Sequence, residues 1–226
     1  MSGAEEVLRP DVRPPWLAPL VENVDRVPDA YRRRVPPELL TALTAARSAS
    51  GASRDAAVLV LFSGPQSGHA PGQVPDEADL LLTVRAGTLR HHAGQAAFPG
   101  GAADPGDAGP VHTALREAWE ETGLDPGRLH PLATMERMFI PPSGFHVVPV
   151  LAYSPDPGPV TVVDESETAH VARVPLRAAA ETPRTSTSRP SLSLARRRLT
   201  ASSRSEAGSR SSLLRTMISS RSASTG

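Results

Sequence analysis

Among its 226 residues the chain contains no cysteine and no lysine. Without cysteine there is no disulfide framework, no thiolate metal site and no cysteine nucleophile, and a reducing, cytoplasmic setting is the simplest expectation. Without lysine every basic side chain is Arg, and the 24 basic residues balance 24 acids. Together with 24 prolines this usage points to GC-rich coding sequence more than to a ligand. No window approaches the roughly 18 consecutive apolar residues of a membrane span, and "MSGAEEVLRPDVRPPW" lacks the basic and apolar regions of a secretion signal, so no membrane partner is expected.

The zero net charge is unevenly spread. Residues 177–226 hold ten Arg and 14 Ser against two acids, Glu181 and Glu206, with no aromatic, Val or Asp. Such a segment buries little apolar area, so disorder is the default reading. Its arginines could meet phosphates, but no aromatics are interleaved for base stacking, and a nucleic-acid partner is not expected.

Upstream, residues 1–35 form a Pro- and Arg-rich extension with an apolar anchor at Trp16, Leu17 and Leu20. Pro37 precedes a good helix-forming run, which predicts a helix over 37–49. The β-branched and aromatic run at 55–63 predicts a buried strand, and 80–86 a second. Residues 87–110 read as loop, because their glycines and prolines exclude a long regular element there. From Val111 the pattern is helical, with Val111, Ala114, Leu115, Ala118 and Trp119 on one apolar face and Gly123 where a C-terminal cap falls. "HPLATMERMF" and "HVVPVLAYS" read as strands, and "PVTVVDESETAHVARVPL" as a strand followed by an extended connection.

The helix from Val111 carries the chemistry. At 100° per residue, Arg116, Glu117, Glu120 and Glu121 share a sector roughly 140° wide, opposite the apolar stripe. Glu117 and Glu121 stand one turn apart and repel unless a cation bridges them, and hard oxygen ligands suit Mg²⁺ or Mn²⁺. Arg116 is placed to pair with Glu120. The competing reading is a solvated face with one surface salt bridge. At 90–92, "RHH" taken alone admits a metal or general-base site, but loop histidines are usually just solvated.

A glycine turn before this helix and Glu-Glu-x-Gly after it extend the pattern. The stretch Gly101, Asp107, Arg116, Glu117, Ala118, Trp119, Glu120, Glu121, Thr122, Gly123, Leu124 resembles the Nudix box of the Nudix hydrolases. It departs in having Asp107 for the first Glu, and eight residues rather than seven before Arg116. Both departures resemble the coenzyme A pyrophosphatase branch. A second segment, "LLLTVRAGTLRHHAGQAAFPGG", is similar to that branch's distinguishing motif through Leu89, Arg90, His92, Gly94, Gln95, Phe98, Pro99, Gly100 and Gly101. "PPSGFHVVPVLAY" also looks like the family, with Ser143, Gly144 and Phe145 in a turn for which a structural role is slightly favoured.

The resemblance implies an α/β (α+β) fold, a mixed β-sheet sandwiched between helices, spanning 36–176, with 177–226 a disordered or aberrant tail. It implies metal on Glu117, Glu120 and Glu121, and catalytic roles for Arg116, Glu120 and Glu121. Substrate contacts fall on Arg90, His92, Gln95, Phe98, Gly100 and Gly101. The implied reaction is Mg²⁺- or Mn²⁺-dependent hydrolysis of coenzyme A or acyl-coenzyme A to 3′,5′-ADP and 4′-phosphopantetheine or its acyl form. A homodimer is compatible with the fold. The alternatives are another nucleoside diphosphate substrate, such as ADP-ribose or NADH, or a non-catalytic product. The abrupt change near 177 is what an out-of-frame reading of a GC-rich gene looks like.

Overall fold

The computed structural model describes residues 7–33, 54–87, 94–140 and 145–180, with single positions 38, 41, 42 and 45. Of the helix expected over 37–49, Glu38, Thr41, Ala42 and Ala45 are helical, and the rest lies outside the described residues. So does 181–226, most of the expected tail.

The two strongest apolar runs form the centre of one mixed eight-stranded sheet. Strand β1 (Arg54–Ser63) runs parallel to β7 (Phe145–Ser154), in register from Arg54↔Phe145 to Ser63↔Ser154. A strand without alternation needs apolar cover on both faces, and here it has it. Val60, Phe62, Leu80, Leu151 and Tyr153 face a cluster completed by Trp16, Leu17, Val21 and Val27 from the N-terminal segment. That segment carries two short helices, α1 (Ala18–Glu22) and α2 (Val27–Arg32). Trp16 donates its Nε1–H to Pro65 O at 2.8 Å and meets the Tyr153 ring edge-on, so the predicted anchor is part of the core. Ala57, Leu59, Leu61, Leu81, Val150 and Ala152 face the opposite cluster, closed by Val111, Ala114 and Ala118 of α3 (Pro110–Thr122). The sheet is therefore sandwiched between helices, as expected.

Strand β2 (Asp79–Arg85) meets β1 at Phe62↔Leu80 and Ser63↔Asp79, and its other edge pairs with β8 (Thr168–Pro175). Further along, β1 and β2 diverge, and the backbone groups between them need partners. Two short strands supply these: β3 (Ala96–Ala97) pairs with β2, and β4 (Gly100–Ala102) with β1 at Ala56–Val58. The segment 87–110 is thus not all loop, which corrects the sequence expectation.

Two other expectations need correction. "HPLATMERMF" is two strands, β5 (His130–Thr134) and β6 (Met138–Ile140), both paired with β7. The break falls opposite Pro149, which has no N–H to extend the ladder and only accepts from Met135 N–H. In "PVTVVDESETAHVARVPL" the strand comes last, as β8. Thr161 and Val163 instead donate their N–H groups to Thr122 O and Glu121 O, satisfying carbonyls at the end of α3. After β8 the chain turns into α4 (Leu176–Ala180), whose Leu176 is buried. Among the described residues no helix is long and apolar enough to cross a membrane.

Candidate functional site

Helix α3 begins at Gly109 with Pro110 at its first position and ends on Gly123, whose φ of 69° is the left-handed cap glycine adopts most readily. Its buried side is lined by small groups, Val111, Thr113, Ala114, Ala118 and Thr122, which let the helix lie close to β1. Trp119 is not on this side: it is 55% exposed, correcting its place in the predicted stripe. The acidic sector is accordingly not a free outer surface, for Glu117 and Glu121 are partly buried and only Glu120 is exposed.

Arg116 is the hub of the cluster. Its Nε and Nη2 donate to the two oxygens of Asp107 at 3.1 and 3.0 Å. Nη1 donates to Glu117 Oε1 at 3.0 Å and Glu120 Oε2 at 2.9 Å, and Nη2 also reaches Ala102 O. The spacing-based Arg116–Glu120 pair is therefore present. Asp107, with its side chain 3% exposed, also accepts from Thr113 Oγ1 and the Asp104 N–H, and contacts His112 Nδ1 at 2.8 Å. The Arg116 hydrogen bond, helped by the others, holds Asp107 far below the usual carboxylate range and Arg116 above its own. Fully engaged with Arg116, Asp107 acts as the support that aims that guanidinium.

Two glycines let the floor approach. Gly100 N–H donates to Glu121 Oε2 at 3.2 Å, and a Cβ on Gly101 would stand 2.5 Å from Glu117 Oε2. Burial raises the pKa of Glu117, with Glu120 and Glu167 adding to it against the Arg116 charge. Glu121 is pushed up to about 7, first by burial and then by Glu117 and Glu167, while Gly100 N–H and the Arg85 charge oppose the shift.

A cleft of about 240 Å³ is lined by Glu117, Glu120 and Glu121 on one side and by Asp164, Glu167 and Thr168 on the other. The second wall was not among the sequence candidates. Its only signal is the acidic run "DESET", held in place because 161–163 caps α3, Ser166 N–H bonds Asp164 Oδ1, and Ala86 N–H bonds Glu167 O. Gln95 is exposed and its carbonyl accepts from Arg85 N–H. Phe98 packs against the cluster on the face opposite α3, so it is not brought to the cleft. Arg90, His92, Ser143 and Gly144 lie outside the described residues, while Phe145 begins β7.

Five carboxylates around one cleft, two with raised pKa, form a donor set suited to a hard divalent cation, which would offset their repulsion. Among the described residues no three such groups stand ready at a spacing that holds an ion. Arg116 draws Glu117 and Glu120 toward itself while Gly100 holds Glu121, so ion binding requires carboxylates to turn from their present partners.

A family model for the NUDIX domain matches residues 54–195, well over half of the chain, and the chain belongs to the Nudix family. Nudix hydrolases act on small molecules with the help of divalent cations. The chain is similar to the uncharacterised Nudix hydrolase NudL of Yersinia enterocolitica, at 45% identity over 94 residues, 40% of this chain and 48% of that one. NudL of Yersinia pestis (strain Pestoides F) is 45% identical over 103 residues, 46% of this chain and 51% of the other. The chain thus spans about half the length of the curated relatives it matches. Among solved structures, the M. smegmatis Nudix hydrolase RenU is 27% identical, covering 56% of this chain and 73% of that one with a TM-score of 0.43.

Proposed function

We propose that the protein hydrolyses the diphosphate linkage of coenzyme A or its acyl thioesters, giving 3′,5′-ADP and 4′-phosphopantetheine or its acyl form. The observation that carries this reading is the five-carboxylate cleft between α3 and the 164–168 turn, floored by Gly100 and Gly101. Those glycines end the segment that resembles the coenzyme A branch, and Asp107 with its longer spacer resembles that branch as well.

In this reading Glu117 and Glu121 hold Mg²⁺ or Mn²⁺, and Glu120 is either a further ligand or the carboxylate that takes a proton from the attacking water. When bound, the cation offsets charge on the diphosphate oxygens and lowers the pKa of water. Arg116, braced by Asp107, positions Glu117 and Glu120 through one nitrogen. Gly100 N–H fixes Glu121 from the opposite side. Arg90, His92 and Gln95 are assigned to substrate contact. The reading keeps the catalytic domain at 36–176, with the preceding segment contributing core.

The test is metal-dependent release of 3′,5′-ADP from coenzyme A, alongside ADP-ribose and NADH, repeated with Glu121→Gln. Coenzyme A is expected to be cleaved fastest, and Glu121→Gln to lose at least about a hundredfold in rate, as loss of a group acting on transition-state charge does. Faster cleavage of ADP-ribose or NADH reassigns the substrate, and full activity in Glu121→Gln removes the metal assignment.

A further inference from the structure

The acidic cleft occupies the end of the β2–β8 pair where Thr168 stands beside Arg85. A second cavity, of about 440 Å³, opens at the opposite end, where Asp79 and Arg173 line it. Asp79 is the first residue of β2 and Arg85 its last, so at about 3.3 Å per residue the two sites lie roughly 20 Å apart along one sheet. The second cavity sits past the carboxyl ends of β1 and β7, and the carboxyl ends of parallel strands are where a ligand crevice commonly forms. Its walls are fixed. Tyr153 Oη–H donates to Gly64 O and Trp16 Nε1–H to Pro65 O, both at 2.8 Å, and Arg128 holds Asp156 on the far rim.

Among the described residues three buried side-chain polar atoms make no hydrogen bond, and two of them are Ser63 Oγ and Ser154 Oγ. These serines end β1 and β7 and stand side by side in register. Ser63, only 4% exposed, lines the cavity. Residues 54–87 and 145–178, which build this corner, are described throughout. A buried hydroxyl without a partner has lost the hydrogen bonds that water gives it in the unfolded chain. Beside Ser63, Arg173 Nε stands 3.3 Å from both oxygens of Asp79, longer than a good charge-assisted bond. Burial raises the pKa of Asp79, and Arg173 with the nearby Ser63 hydroxyl offsets only part of that. The corner therefore has charges that cancel and polar groups that are under-bonded.

That combination selects a chemistry. A neutral pair calls for no counter-ion, whereas Asp79 needs donors and Arg173 needs acceptors. Ammonium groups only donate and carboxylates only accept, but a hydroxyl does both. We propose that this cavity binds a small neutral polyol, a ligand with hydroxyls on adjacent carbons. One hydroxyl enters the long Arg173–Asp79 contact, accepting from the guanidinium and donating to the carboxylate, and its neighbour bonds Ser63 Oγ. The rings of Pro65, Pro155 and Pro157 offer apolar surface to the carbon chain. The site is separate from the diphosphate cleft and does not depend on the reaction assigned there.

The test is a titration of the full chain with xylitol, followed by amide NMR shifts, with 1,5-pentanediol as a control of the same carbon count without adjacent hydroxyls. Saturable shifts at Ser63, Gly64, Asp79 and Arg173 are expected for xylitol, with a Kd of about 1–10 mM, what a few hydrogen bonds give so small a ligand. Ser63→Ala removes an unbonded hydroxyl, so it should melt no lower than wild type yet bind xylitol about threefold to tenfold more weakly. Asp79→Asn should weaken binding by at least about tenfold, and if that variant does not fold, Ser63→Ala decides. Absence of saturation up to about 100 mM overturns the proposal. So do shifts centred on Glu117 and Glu121, equal shifts with 1,5-pentanediol, or wild-type affinity in Ser63→Ala.

Discussion

Glu117 Oε2 lies where the side chain of residue 101 would be: a Cβ built on Gly101 comes within 2.5 Å of it. One residue earlier, a Cβ on Gly100 comes within 2.3 Å of the Ala57 carbonyl oxygen and 2.6 Å of Val58 Cα. The two neighbouring glycines thus guard different things, a movable carboxylate and an immovable strand.

Substituting each with alanine should separate function from folding. Gly101→Ala displaces the end of a flexible side chain, so thermal stability should change by less than about 1 kcal/mol while hydrolysis falls on the order of a hundredfold through misplacement of Glu117. Gly100→Ala forces backbone apart and should destabilise by about 1–3 kcal/mol, the range for overpacking. Denaturation curves and initial rates on the two variants check this, and equal stability losses would contradict it.

The acidic cleft should make the metal-free protein less stable as pH rises. Glu121 titrates near 7 in the fold, above its ordinary value of 4.5, so between those values the folded state holds a proton that the unfolded chain has released. Its stabilising contribution is complete below about 4.5 and is lost as pH climbs through about 7. Glu117 is shifted in the same direction. In a chelator at pH 8, Glu121→Gln should therefore melt above wild type, with a Tm gain of roughly 2–4 °C for each kcal/mol relieved. Adding Mg²⁺ should raise the wild-type Tm and leave the variant nearly unmoved, which scanning calorimetry reads directly.

Asp107→Asn tests the support under Arg116. The buried carboxylate receives both Nε and Nη2, and the amide cannot offer charge to either. Stability is expected to fall by about 1–3 kcal/mol, the scale of a hydrogen-bonded charge left poorly paired. Rates should drop further than stability explains, because Arg116 aims Glu117 and Glu120. A variant that melts lower yet turns over at the wild-type rate would show that Arg116 needs no such brace.

The sequence made much of this visible because several residue types have few alternative uses. The unbroken apolar runs of β1 and β7 required two covered faces, and the Arg116–Glu120 spacing required a helix. Trp119 was misplaced because apolar character suggested burial, whereas the approach of α3 to β1 depends on residues as small as Ala114 and Ala118. The strands β3 and β4 were hidden in glycine-rich sequence, since their pairing comes from the divergence of β1 and β2 rather than from their own propensity. The wall of Asp164 and Glu167 lies some 40 residues beyond the helix it faces, and what brings it there is capping of the Glu121 and Thr122 carbonyls by backbone N–H groups, which any residue but proline carries.

The floor of the cleft is also stitched into the middle of the sheet. Leu59 N–H, at the centre of β1, donates to Pro99 O, and Ala103 N–H donates to Asp55 O. The amide proton of Leu59 therefore cannot exchange with solvent until the Phe98–Gly101 segment lifts away. Exchange at that one amide reports how often the cleft loses its floor, and its protection ties the opening of the site to the breathing of the core rather than to motion of a surface loop.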